Sequence, residues 1–184
     1  MFRESFIESQ TSFAGDRAAL SRLAEMLAAP DRTAAVAAFN AWCQDRKLDL
    51  SGIIARSQDL SGLSLRGAVL LGANANRADL SGCDLRDADL RLTDLSECDL
   101  RNALLTGANA QGAYLVKSDL SGADLRDLDL GEGHLARAVL VNADIRGAQL
   151  RWVRGLSQRM LDVARGDGAT AIPEGLRRPA GWPA

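Results

Sequence analysis

Leucine recurs every fifth residue through the middle of the chain. Multiples of five from 50 to 150 make 21 successive positions, of which 17 are Leu, one is Ile145 and three are Ala55, Ala75 and Ala110. An α-helix advances about 140° net per five residues, which scatters these side chains around its circumference. A straight strand alternates faces with period two, so an odd spacing sends successive leucines to opposite sides. One geometry keeps them all inside: an extended run that turns a corner once per quintet. Two residues before each central position the strand period predicts a second inward site, and there 11 of 21 residues are Ala, with Cys83 and Cys98 among the rest. The residues flanking the centre point outward. The one before it is Asp in 11 cases and Asn in two; the one after it is Ser, Thr or Arg in 14. The remaining position is Gly in nine, as expected of a corner that needs φ > 0.

A longer repeat sets the number of sides. DLSG recurs at 49–52, 59–62, 79–82 and 119–122, and RADLSGCDLRDADL (77–90) returns as KSDLSGADLRDLDL (117–130). Three of the DLSG copies are separated by multiples of twenty residues. Four quintets per coil would stack them, although a forty-residue duplication also accounts for the long match.

The quintet Ala, Asp or Asn, Leu, Ser or Arg, Gly resembles the pentapeptide-repeat family over residues 48–152. The resemblance implies an all-β solenoid, a right-handed four-sided β-helix of about five coils. Handedness comes from the resemblance alone. FNAWCQDRKLDLSG ahead of the repeats looks like the helical N-terminal segments of some members. The best-studied members bind type II topoisomerases, including DNA gyrase, and protect them from quinolone-type inhibitors. Two departures count against carrying that role over: Phe2, Phe6, Phe13 and Phe39 all precede the repeats, and the tail IPEGLRRPAGWPA has few apolar anchors.

Three segments follow: a helical N-terminal cap (1–47), the repeat β-helix (48–152), and a C-terminal helix and tail cap (153–184). Asp16 is placed to cap a helix to about Ala28 with Leu20, Leu23 and Leu27 on one face, and Pro30 ends it. A second helix is expected from Asp31 to Asp45, with Val36, Phe39 and Cys43 aligned and Trp42 beside them. Residues 1–47 hold six acids and six bases, so these helices present no basic face for DNA. Ser157 is placed to cap a short helix to about Ala164. The tail beyond it is expected to fold back on Ile172, Leu176 or Trp182, with Trp152 or Trp182 resting on the stack.

Composition narrows the function. Net charge is −2 and aromatics are 4%, so small residues and leucine must fill the interior. Cys43, Cys83 and Cys98 have no metal-ligand spacing and read as reduced cysteines of a cytoplasmic protein. MFRESFIESQTSF carries charges where a signal peptide needs an apolar run. No apolar stretch approaches the roughly 20 residues that span a bilayer. His134, the single histidine, reads as a solvated surface residue. No nucleophile–base pair, phosphate loop, cofactor motif or metal cluster appears, so an enzyme is not expected.

Four-sided stacking puts Asp59, Asp79, Asp99 and Asp119 in one column, with neighbours about 4.8 Å apart. They either accept hydrogen bonds from nearby corner amides or attract cationic groups of a partner. Ser61, Ser81 and Ser121 leave that column uncompensated except for Arg101. On the next side Asp84, Asp124 and Asp144 run beside Arg66, Arg86, Arg126 and Arg146. The repeats hold 15 acids and 11 bases. That is about one net charge per 6 Å of rod, against one per about 1.7 Å of duplex axis, a poor copy of DNA overall. Tyr114, Val116, Val139 and Val141 should form one outward apolar patch, as an interaction surface or as a seat for the C-terminal tail. The expected function is a rigid, non-catalytic scaffold for an unidentified protein partner. The alternative is a topoisomerase-binding DNA mimic, and neither direct nucleic-acid binding nor membrane insertion is expected.

Overall fold

The computed structural model describes residues 6, 7, 10 and 13–183. Phe2 and the other remaining positions of the N-terminal segment, and Ala184, lie outside the described residues.

The centre of the chain is built from one hydrogen-bonded corner per quintet. Each central residue accepts a bond from the amide three residues on, as in Ile53 N–H to Leu50 O (3.1 Å) and Ala103 N–H to Leu100 O (3.1 Å). The third residue of every such turn, from Gly52 to Gly147, has positive φ. This is the signature of a type II turn. Nine of these twenty positions are Gly and eleven are not. Four residues go into each turn, so only one remains extended between corners. Accordingly the described residues carry single-residue parallel bridges in place of continuous strands.

Those bridges join residues twenty apart, without slippage, from Asp49↔Val69 to His134↔Arg154. One coil is therefore four quintets. The inward positions line the interior: every central residue is buried except Leu70, which is partly so. Small polar side chains among the second inward set are satisfied by the coil below. Thr93 Oγ1 donates to Leu70 O (2.8 Å), Ser118 Oγ to Leu95 O (2.9 Å), Cys83 Sγ to Leu60 O (2.8 Å) and Cys98 Sγ to Ala75 O (3.0 Å). The leucine-lined voids inside hold only about 10 and 20 Å³, one water at most.

Among the described residues, two helices with defined bounds precede the coils. Helix α1 (Arg17–Ala28) is capped by Asp16, whose carboxylate accepts from Ala18 N (2.8 Å), and it buries Leu20 and Leu23. Leu27 is only partly buried. Helix α2 (Arg32–Cys43) is capped by Asp31 through Ala34 N (3.0 Å) and buries Phe39 and Cys43. It stops two residues short of Asp45. Arg22 and Arg46 lie 5.9 and 5.0 Å from the Trp42 ring.

This segment reaches each of the four sides of the first coil. Ala14 N–H and Asp16 N–H donate to Ser51 O (3.1 Å) and Asp49 O (2.7 Å). Gln10 bonds both backbone groups of Ile54. Arg32 takes Asp59 O (2.9 Å) and Ser61 O (3.1 Å). Asn40 donates to Gly62 O (2.9 Å) and accepts from Ser64 N (2.7 Å). The approach is so close at Gly15 that a Cβ there would lie 2.2 Å from Asp49 O.

At the other end the bridge columns continue irregularly, Asp144↔Arg165 and Gln149↔Ala171. Between them and the regular coils runs α3 (Gln158–Asp162). It ends two residues before the expected Ala164, and Ser157 precedes it without a side-chain cap bond. Trp182 rests on the stack: its indole N–H donates to Ala164 O (3.2 Å) and its ring occupies the space a Cβ at Gly166 would need.

Candidate interaction surfaces

All thirteen Asp and Asn residues before a central position use Oδ1 to accept the amide two residues on. The aspartates of the repeat thus hold the corner from outside, while leucine holds it from within. Where Arg follows the centre, its guanidinium folds back as a fork onto the same carboxylate, at Asp84–Arg86, Asp89–Arg91, Asp99–Arg101, Asp124–Arg126 and Asp144–Arg146. Hydrogen bonds from these arginines hold the five carboxyls below the usual aspartate range. Arg66 pairs with Asp87 (3.2 Å) instead of Asp84.

The bridges place Asp59, Asp79, Asp99 and Asp119 in one column, continued by Val139. Two of the four carry an arginine. Arg32 of α2 grips Asp59 at 3.0 Å through both Nε and Nη2, the main reason its carboxyl lies well below the usual range. Arg101 covers Asp99. Among the described residues no ion pair reaches Asp79 or Asp119, whose Oδ1 atoms accept from the amides of Ser81 (2.9 Å) and Ser121 (2.9 Å). The column that reads as four like charges is therefore two ion-paired carboxylates alternating with two that have no direct ion pair among the described residues and lie one coil either side of Arg101.

Tyr114, Val139 and Val141 are 52%, 41% and 43% exposed, and the C-terminal segment does not cover them. Val116 is half-buried. Tyr114 pairs with Asp94 and His134 on one side, and Val139 pairs with Asp119 on the next side, one coil further along. His134 differs from its expected solvated state: it is half-buried, and its Nδ1 is shielded from water without a hydrogen-bond partner.

A second apolar surface lies at outward repeat positions that the sequence analysis did not single out. Leu92 and Trp152 are 63% and 67% exposed. With Leu71, Gly112 and Gly131 they line a concavity of about 710 Å³. Of Trp152 and Trp182, either of which was expected on the stack, Trp182 rests there; Trp152 is exposed and lines both this concavity and another of about 700 Å³ formed with the tail. The available signal was Leu92 and Trp152 themselves, the two large apolar residues at a corner position otherwise held by Gly, polar or charged residues. Among the described residues no group of three His, Cys, Asp or Glu side chains is arranged to hold a metal ion. Among the same residues no helix is long and apolar enough to cross a membrane.

A family model agrees with this architecture. The family model for pentapeptide repeats matches residues 59–91, 83–122 and 118–154. Among solved structures, HetL, a pentapeptide repeat protein involved in heterocyst differentiation regulation from the cyanobacterium Nostoc, is 29% identical. The match covers 69% of this chain and 67% of HetL, with a TM-score of 0.42. A thylakoid-lumen pentapeptide repeat protein of Arabidopsis thaliana is 30% identical over 66% of this chain and 77% of its own, with a TM-score of 0.35. QnrB1, a plasmid-mediated fluoroquinolone resistance protein, is 22% identical over 67% of this chain and 64% of its own, with a TM-score of 0.37. No curated protein sequence matches significantly. Quintet periodicity, twenty-residue coils and a family model spanning more than half of the sequence agree: the chain belongs to the pentapeptide repeat family, whose members form right-handed four-sided β-helices.

Proposed function

We propose that the chain is a non-catalytic, rigid scaffold for protein–protein interaction, with residues 48–152 as the presenting rod and 1–47 and 153–184 as caps at its two ends. The observation that carries this reading is the exposure of Tyr114, Val139 and Val141 on sides that are otherwise polar. The tail has its own seats at Ala164, Arg165 and Ala171 and leaves these residues free for a partner. The capping role rests on the bonds from Gln10, Ala14, Asp16, Arg32 and Asn40 to the first coil, which occupy backbone groups that an uncapped stack would offer to another chain. The three cysteines are free and buried, which supports residence in a reducing compartment, the cytoplasm.

The test is capture of a partner on immobilised protein, followed by reconstitution with that partner purified. Combined Tyr114→Ser, Val139→Ser and Val141→Ser substitutions should weaken the reconstituted complex by about tenfold or more while leaving the melting temperature nearly unchanged. Failure to isolate a stoichiometric partner, or equal binding by the variant, removes the reading.

A second reading, binding to a type II topoisomerase, is favoured by Asp79 and Asp119, which have no direct ion pair among the described residues. The arginines on Asp59 and Asp99 weaken it by halving the charge of that column. Gyrase supercoiling with and without a quinolone decides it: absence of both inhibition and protection at micromolar protein excludes this role.

A further inference from the structure

Trp152 borders a concavity of about 700 Å³ on the C-terminal side of the rod. Beside the indole it is lined by the apolar Ile172, Pro173 and Leu176, and by Arg151, Arg177 and Arg178 against one acid, Glu174. Three positive charges and one negative leave a local +2 on a chain whose net charge is −2. Two of these arginines are held before any partner arrives. Gln158 brackets the backbone of Arg177, donating to its carbonyl (3.0 Å) and accepting its amide (2.9 Å). Arg178 Nη2 donates to Gly168 O (3.1 Å) and Thr170 O (3.2 Å). Preorganisation of this kind lowers the entropy lost on binding.

We propose that this concavity is a docking site for an acidic protein segment that carries a bulky apolar side chain. The apolar side chain packs against Trp152, Ile172 and Leu176, and carboxylates of the segment meet the guanidinium groups, whose planar forks suit them. A few residues of extended peptide fit a volume of this size. The adjoining concavity sets Asp129 and Glu132 against Arg91 and Arg151, so the excess positive charge is confined to this site and does not continue as a track for a nucleic-acid strand. This assignment rests on the scaffold reading and adds the chemistry of one partner surface, distinct from that at Tyr114.

The probe is a fluorescein-labelled octapeptide alternating Glu with Leu, titrated with full-length protein and followed by fluorescence anisotropy. It should bind, more weakly as salt rises from about 20 to about 150 mM. Trp152→Ala and Arg177→Glu should each weaken it by about tenfold or more. Trp152→Phe should retain binding, and peptides with Gln for Glu or Gly for Leu should lose it. Arg177 is exposed, so its variant reads the site without disturbing the stack. No binding, equal binding by Trp152→Ala and Arg177→Glu, or tighter binding of a thymidine oligonucleotide than of the peptide would overturn the proposal. Trp152→Ala leaves the Tyr114 surface intact. A captured partner that binds this variant as well as wild type, with no peptide binding, overturns the docking site and leaves the scaffold reading standing.

Discussion

The side-chain amide of Gln10 bonds both backbone groups of Ile54, donating from Nε2 to the carbonyl (2.8 Å) and accepting the amide at Oε1 (2.6 Å). It does for the first coil what each later coil receives from the backbone of its neighbour. Gln10 is 44 residues away in sequence and buried, so removing it strands a donor and an acceptor together. Gln10→Ala should cost about 2–4 kcal/mol, at about 1–3 kcal/mol per unsatisfied buried group with partial access of water. Gln10→Glu sets a buried carboxylate against the carbonyl oxygens of Ile54 and Phe6 and should cost at least as much as Gln10→Ala. Urea unfolding of the three proteins checks the order.

Inward and outward positions should respond very differently. Leu100 is fully buried, and Leu100→Ala should cost about 3 kcal/mol or more, within the range for cavity-forming substitutions. Leu100→Asp adds a buried unpaired charge and should split or unfold the array. Ser96→Asp, four residues away on the outside, should change stability by less than about 0.5 kcal/mol. Comparable losses of melting temperature for Leu100→Asp and Ser96→Asp would contradict the assignment.

Corner strain predicts opposite signs at two adjacent positions. Leu92 sits at φ 57° with its side chain over Gly112, where an added Cβ would come within 2.9 Å of Leu92 Cδ2. Leu92→Gly relieves a left-handed backbone that costs a non-glycine residue about 1–2 kcal/mol, and should raise the melting temperature. Gly112→Ala, at φ 68°, should lower it. Scanning calorimetry of both variants measures the difference.

Acid should destabilise the rod in a defined window. Asp59, Asp84, Asp89, Asp99, Asp124 and Asp144 have folded values below the ordinary one, chiefly through hydrogen bonds from arginine. Their contribution is fully present above the unfolded value of about 3.9 and is lost as pH falls from there through the lowered folded values. Stability should hold from neutral pH to about pH 5 and decline below about pH 4, less steeply in Arg101→Gln. Urea midpoints at successive pH values give the profile; an unchanged midpoint at low pH counts against these pairs.

The cysteines give a chemical check on the interior. Burial pushes the thiols of Cys83 and Cys98 up to about 12 and that of Cys43 up to about 11. A thiol reagent at mildly alkaline pH should leave all three untouched in the native protein and titrate all three in denaturant.

Much of the architecture was readable because each quintet states the same thing five residues later. Leucine reports the interior, and Asp two residues before an outward Ser or Arg reports the corner bond, so local chemistry repeated twenty times averages out its exceptions. What the repeat could not reveal lies where residues distant in sequence meet. The grip of Arg32 on Asp59 joins α2 to a column that looks uncompensated in its own segment. Eleven corners hold φ > 0 without glycine, because the stack imposes the turn on whatever residue stands there. The concavity beside Trp152 depends on where Ile172, Leu176 and Arg177 of the tail come to lie, which follows no period.

The most direct test of the account is a solution NMR measurement of couplings across hydrogen bonds. If four quintets make one coil, the amide nitrogen of Leu100 couples to the carbonyl carbon of Asp119, and that of Leu85 to Leu104, each nineteen residues on. Couplings at this offset along the repeats are the expected result. Couplings four residues apart, or at any offset that takes Asp79 and Asp99 out of neighbouring positions, would contradict the coil and every surface built on it.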